Sequence, residues 1–195
     1  MLTSIRKLLT TAIIYTVATT LLLGVAYPLA VTALAQLLFR DKADGQLIQQ
    51  NGQVIGSRII GQSFAAPGYF HGRPSAAGNG YDAANSGGTN LATTNSALIT
   101  RVQQATAALQ AENPGTPIPA DLVTTSASGL DPDITPAAAA FEASRVARER
   151  GISLAVVQAL IAAHTTPRQF GLLGEPRVNV LELNLALDST APLKK

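Results

Sequence analysis

From Leu8 to Phe39 the chain carries no Asp, Glu, Lys, Arg or His, and charge returns only at Arg40, Asp41, Lys42 and Asp44. A hydrocarbon core about 30 Å thick needs roughly 20 apolar helical residues to cross it, so the run predicts one transmembrane helix that continues into the outer interface. Pro28 lies late in the run, where its missing N–H and its ring predict a kink, with Tyr27 as an interfacial anchor. Gly24 and Ala26 offer a small-residue face to a neighbouring helix. Arg6 and Lys7 precede the run while a balanced flank follows it, which orients the N-terminus to the cytoplasm and the rest outside. The rival reading is a cleaved signal peptide with Ala33-Leu34-Ala35 at the cleavage site, but the run is well beyond the roughly 7–15 apolar residues of such a segment.

Beyond the anchor the hydrophobic periods shorten. Asn51-Gly52 between Leu47–Gln50 and Gln53–Gly56 predicts a type I′ hairpin, and Ile59 to Phe64 can add another extended segment. Residues 65–93 are too rich in Gly, Pro, Ser and Asn for regular structure, and Tyr69, Phe70 and Tyr81 can pin this long loop to the domain. A helix is predicted from Ser96 to about Glu112, capped at Thr94-Asn95, with Leu98, Val102, Ala105 and Leu109 on one face and Pro114-Gly115 ending it. Thr135 and Pro136 start a second helix that Gly151 ends after Arg145, Arg148 and Arg150. Ser153 caps a third, with Val156, Val157, Leu160 and Ile161 inward and His164 near its end. In Val178 to Asp188 the alternating Leu181, Leu183, Leu185 and Leu187 favour a half-buried strand, while Asn179 followed by Glu182 fits the cap of a short helix. The strand reading is preferred.

Composition narrows the function classes. Removing Arg6 and Lys7 leaves twelve Lys/Arg against twelve Asp/Glu, so despite a sequence pI near 9.2 the domain has no basic field for nucleic acid. The absence of cysteine removes disulfides, thiolate catalysis and Cys-ligated zinc. His71 and His164 are the two histidines, and neither stands in a recognisable nucleophile–base frame, although His71 with Ser75 or Ser86 would be the pair to test. Ser86-Gly87-Gly88 lacks the Lys of a phosphate-cradling loop and reads as a turn. Asp131 and Asp133 precede a helix and fall short of the six to eight oxygens of a calcium site. No catalytic residue, metal site or tightly bound cofactor is expected from these patterns.

Six ordered blocks nevertheless form a specific signature. They are Gly61-Gln62-Ser63-Phe64; Tyr69-Phe70 with Arg73 to Gly78; Ser86 to Leu91 with Thr94-Asn95; Asp121 to Thr124 with Ser128 to Pro132; Arg145-Val146-Ala147 with Arg150-Gly151; and Gly174 to Leu181. With the anchor and Tyr27-Pro28, the chain closely resembles the C subunit of the bacterial Kdp potassium-transporting P-type ATPase. The resemblance implies an inner-membrane complex with a channel-like K⁺ subunit, a P-type ATPase subunit and a small single-span subunit. This chain would be their accessory partner, needed for assembly and acting as a catalytic chaperone that raises ATP affinity.

In that family a nucleotide role is attached to a glutamine in the helix after Ser-Gly-Leu-Asp-Pro, where this sequence has Glu142. A carboxylate repels phosphate, which argues against direct nucleotide contact through Ser128, Gly129 and Glu142. ATP is expected only through the ATPase subunit, and any effect on its affinity would pass through the membrane subunits. The expected fold class is α+β: a cytoplasmic N-terminus (1–7), a transmembrane helix with its outer-interface extension (8–39), and one compact extracytoplasmic α+β domain (40–195). Gly24, Tyr27 and Pro28 on the anchor, and Tyr69, Phe70 and Arg73 in the first loop, are the candidate partner-facing residues. A free-standing, membrane-tethered enzyme using the His71 loop is the alternative.

Overall fold

The computed structural model describes residues 2–193, and the chain divides into two units between Leu47 and Ile48. In the first, α1 (Leu2–Thr19), a π-helical segment (Thr20–Ala26) and α2 (Tyr27–Leu38) form one unbroken helix. Residues Thr3–Leu38 are apolar and long enough to cross a membrane, with a mean hydropathy of 1.9 over the most apolar window. At 1.5 Å per residue they span about 54 Å, well beyond a hydrocarbon core.

The kink expected at Pro28 takes the form of a widened turn just before it. Proline cannot donate, and in an α-helix its ring would bear on the carbonyl four residues back, which here belongs to Gly24. The Tyr27 N–H instead reaches the Leu22 carbonyl, five residues back, as a π-turn requires. Thr10 and Thr19 donate their hydroxyls to the Arg6 and Tyr15 carbonyls at 2.9 and 2.8 Å, so these polar groups are satisfied within the helix. Non-helical backbone at Phe39 (φ −141°, ψ 45°) ends α2 before the short α3 (Arg40–Ala43).

The second unit opens with the expected hairpin, β1 (Leu47–Gln50) and β2 (Gln53–Ser57), turned by Asn51 and Gly52 with φ of 53° and 77°. Helix α4 (Ser96–Glu112) carries the Asn95 cap, α5 (Pro136–Arg150) carries the Thr135 cap and a left-handed Gly151, and α6 (Leu154–Ala163) starts at Ser153. Three minimal strands, β3 (Asp133–Ile134), β4 (Thr165–Thr166) and β5 (Arg177–Asn179), form an antiparallel sheet with β5 in the centre. Ile134 and Thr165 both lie opposite Val178. Buried alanines 138, 139 and 143 on α5 let neighbouring elements approach closely, and Phe141, Val146, Val157, Leu183 and Leu187 fill the core with Phe70 from the long loop. Mixed helix and strand in this unit, behind one long apolar helix, is the α+β class expected.

Three local expectations need correction. Residues 59–64 form no strand: the Gly61 N–H donates to the Leu130 carbonyl at 2.7 Å, and Gln62 folds back onto the Ser57 and Ile60 carbonyls. Residues after Asn179 are not a strand but the helix α7 (Val180–Thr190). The Asn179 side chain accepts the Glu182 N–H at 3.1 Å, and the buried set 180, 181, 183, 184 and 187 has the helical period. The leucine alternation is a coincidence of composition. Val156 faces outward on α6, where Val157 and Ile161 make the buried face.

Candidate functional site

The centre of the domain is a short piece of irregular backbone held by side chains. Glu142, Arg145 and Arg150 lie three and five residues apart along α5, which keeps them on one side of the helix, and Asn184 and Asp188 are four apart on α7. These five side chains hold residues 67–71. Arg145 donates to the Pro67 carbonyl and, at 2.9 Å, to the Tyr69 carbonyl. Arg150 donates to the Gly68 carbonyl at 2.6 Å. Asn184 brackets Phe70, accepting its N–H and donating to its carbonyl, both at 2.9 Å. Glu142 accepts the His71 N–H at 2.9 Å. A loop that buries its backbone must find such partners, and this one finds them on two helices.

The charges in this network are mutually screened. Arg145 pairs with Glu142 and, at 2.9 Å, with Glu112. The Arg150 side chain is fully buried, pairs with Asp188 at 2.9 Å and lies 4.7 Å over the Tyr69 ring, whose hydroxyl also donates to Asp188. Glu142 is only 2% exposed, and burial pushes its carboxyl up to about 7, with Glu112 and Asp121 adding to the rise against the His71 N–H and Arg145. Its Oε1 has no hydrogen-bond partner among the described residues. Burial and the Arg145 guanidinium hold His71 below the ordinary imidazole value, so at 4.0 Å from Glu142 the neutral ring forms no ion pair. A cavity of about 300 Å³ opens here, lined by His71, Arg73, Tyr81, Glu112, Glu142 and Arg145 among others.

The remaining sequence candidates have structural duties. The Ser75 hydroxyl donates to the Gly129 carbonyl at 2.6 Å and the Ser86 hydroxyl to the Ser128 carbonyl at 2.9 Å, while the His71 ring lies 3.4 Å from the Ala66 carbonyl. Neither serine is paired with His71 as nucleophile and base. The Gly87 N–H donates to the Ser128 carbonyl at 2.9 Å, so it is not presented to a phosphate. Asp131 pairs with Arg73 and accepts the Asp133 N–H, and Asp133 pairs with Arg177 and Asn179, which neutralises the two acids from within the domain. Ser128 is exposed, Gly129 is locked against Ala77 and Gly87, and neither lines the cavity at Glu142.

Of the partner-facing candidates, Gly24, Tyr27 and Pro28 are exposed on the bare helix. Phe70 is fully enclosed and offers no surface within the folded domain, while Tyr69 and Arg73 are half-buried and engaged internally. The backbone-holding roles of Glu142, Arg145, Arg150 and Asn184, and the hold of Asp188 on Arg150 and the Tyr69 hydroxyl, lie beyond sequence reasoning, which read the arginines as partners of a helix end. An Asn in the middle of a leucine-rich segment was the available signal.

A family model described as "K+-transporting ATPase, c chain" matches residues 9–189. The chain belongs to the KdpC family. A protein named "Potassium-transporting ATPase KdpC subunit" from Koribacter versatilis is 63% identical over 188 residues, covering 96% of this chain and 97% of that protein. One of the same name from Acidobacterium capsulatum is 62% identical over 180 residues, covering 92% and 97%. A third, from Rhodospirillum rubrum, is 55% identical over 184 residues, covering 93% and 95%. As a KdpC chain it is an accessory subunit of the potassium-transporting ATPase, in which catalysis falls to other subunits. The tethered-enzyme alternative is set aside.

Proposed function

We propose that this chain seats its N-terminal helix on the channel-like K⁺ subunit and holds its domain outside the cytoplasm, raising the ATP affinity of the ATPase subunit without touching ATP. The observation that carries this reading is the employment of Glu142, Arg145, Arg150, Asn184 and Asp188 in holding residues 67–71. A domain whose buried charges are committed to its own backbone is built to present a fixed surface. Glu142 stands where the family's nucleotide role would fall and is almost fully buried, which disfavours contact with a triphosphate. An effect on ATP affinity then acts as a coupling free energy between states of the membrane subunits.

The anchor supplies the test. A Cβ added at Gly24 would meet only the Thr20 methyl at 3.7 Å, so Gly24→Leu is accommodated by the helix itself. It would, however, hold a neighbouring helix away from the backbone. Affinity purification of the complex should recover the wild-type chain with the K⁺-channel-like and ATPase subunits and recover the Gly24→Leu chain poorly, with loss of high-affinity K⁺ uptake. Full recovery of the other subunits as an active pump in cells lacking this chain would overturn the proposal.

A further inference from the structure

Among the described residues Glu142 is the one buried acid, and its two oxygens differ. Oε2 accepts the His71 N–H at 2.9 Å and pairs with Arg145, while Oε1 has no partner among the described residues. Buried polar atoms are ordinarily partnered, so Oε1 keeps an acceptor capacity that the chain itself does not use. Its side chain lines the cavity of about 300 Å³, a volume at the lower end of small-molecule sites.

Part of the cavity wall is held under strain. Tyr81 has φ +56°, a left-handed conformation that a bulky side chain adopts at a cost. Its N–H donates to Ser75 Oγ at 2.8 Å and its hydroxyl to the Arg73 carbonyl at 2.6 Å, which fixes the ring. A Cβ at Gly72 would stand 2.6 Å from that hydroxyl, so only glycine leaves the ring its place there. Strain of this kind concentrates at ligand sites.

Charge selects the ligand class. Glu142 and Glu112 line the cavity against Arg145, while Arg73 is matched by Asp131, so an ionised Glu142 leaves one negative charge in excess, and Asp121 adds to the negative field. That charge repels anions and attracts cations. A hard metal cation needs about six or more oxygens, and no group of three His, Asp or Glu among the described residues could hold one. Phe64, Leu109 and Leu122 give the cavity apolar walls instead. We propose that this cavity binds a small primary ammonium compound, whose N–H donates to Glu142 Oε1 and whose alkyl body lies against Phe64, Leu109 and Leu122. The ligand enters past the His71 ring, which is 39% exposed and has a 3.4 Å contact with the Ala66 carbonyl. With the free carboxyl at about 7, binding below that pH releases the Glu142 proton to solvent.

The test is calorimetric titration of the full chain in detergent with n-butylammonium chloride at constant ionic strength. The ionised fraction of Glu142 rises from about one-eleventh at pH 6 to about ten-elevenths at pH 8. The other charged or titratable groups facing it are His71, Arg73 and Tyr81 from the loop, Glu112 on α4, Asp121 between α4 and α5, and Arg145 on α5. His71 lies below its ordinary value and Tyr81 above, so neither opposes the trend. One-to-one saturable binding is expected, about tenfold tighter at pH 8 than at pH 6. Glu142→Gln should bind about tenfold or more weakly at pH 8 and lose the pH dependence, as one charge-assisted hydrogen bond is removed. Tetramethylammonium has the charge but no N–H, and should bind wild type at least about tenfold more weakly than n-butylammonium. That comparison decides the matter on wild type alone if Glu142→Gln fails to fold. No saturable binding, equal affinity for the two cations, or undiminished affinity in folded Glu142→Gln overturns the site. The subunit reading is untouched by these outcomes, since it is tested by recovery with the pump.

Discussion

Glu142→Gln isolates the cost of burying a carboxylate at the centre of this domain. Burial raises the Glu142 carboxyl from 4.5 to about 7. Between those values the unfolded chain has released its proton while the folded chain retains it, so stability falls as pH rises. This contribution is fully present below pH 4.5 and is lost by the time pH passes about 7. Across the window it amounts to on the order of 3 kcal/mol, with no discount for solvent because the side chain is 2% exposed. His71, lowered by burial and Arg145, acts in the opposite direction, gaining stability as pH rises through the ordinary imidazole value. The difference between wild type and variant therefore reads Glu142 better than the wild-type curve alone. Glutamine can keep the acceptor for the His71 N–H while removing the titration. Urea denaturation in detergent at pH 5 and pH 8, followed by near-ultraviolet tyrosine signals, should show the wild-type chain losing on the order of 3 kcal/mol more than the variant on going to pH 8. Parallel profiles for the two chains would refute the burial argument.

Two further substitutions probe the frame around residues 67–71, and a third probes the close approach of Gly129 to Ala77 and Gly87. Asn184→Ala should cost about 3 kcal/mol in the same denaturation assay, because it leaves the buried Phe70 N–H and carbonyl without partners. Arg150→Met should cost about 3–5 kcal/mol by stranding the Gly68 and Ala191 carbonyls and Asp188, with a lower melting temperature as the readout. Gly129→Ala should cost at least about 2 kcal/mol, since φ is +66° and a Cβ would stand 2.7 Å from both the Ala77 nitrogen and the Gly87 oxygen. A melting temperature unchanged from wild type would remove the close-approach reading of that glycine.

Local chemistry made much of this fold legible in the sequence. The anchor follows from an uninterrupted apolar run, the first hairpin from Asn51-Gly52, and α4, α5 and α6 from Asn95, Thr135-Pro136 and Ser153 with Gly151 as a stop. The Val178–Asp188 segment was misread because leucines at alternate positions imitate a strand, while the side chain that decides, Asn179, is a single capping group. The π-turn before Pro28 needed backbone coordinates, as proline predicts a disturbance without its form. The polar frame was the least legible part. Asn184 lies 114 residues from Phe70 and Arg150 lies 82 from Gly68, and no local pattern pairs positions that far apart.

The central claim is that the domain works from the side of the membrane opposite ATP. The chain has no cysteine, so Ala108→Cys on the exposed face of α4 gives one unambiguous label site. A maleimide that cannot cross membranes should label this variant fully in cells whose inner membrane is intact. Labelling only after that membrane is breached would place the domain beside ATP and contradict the account.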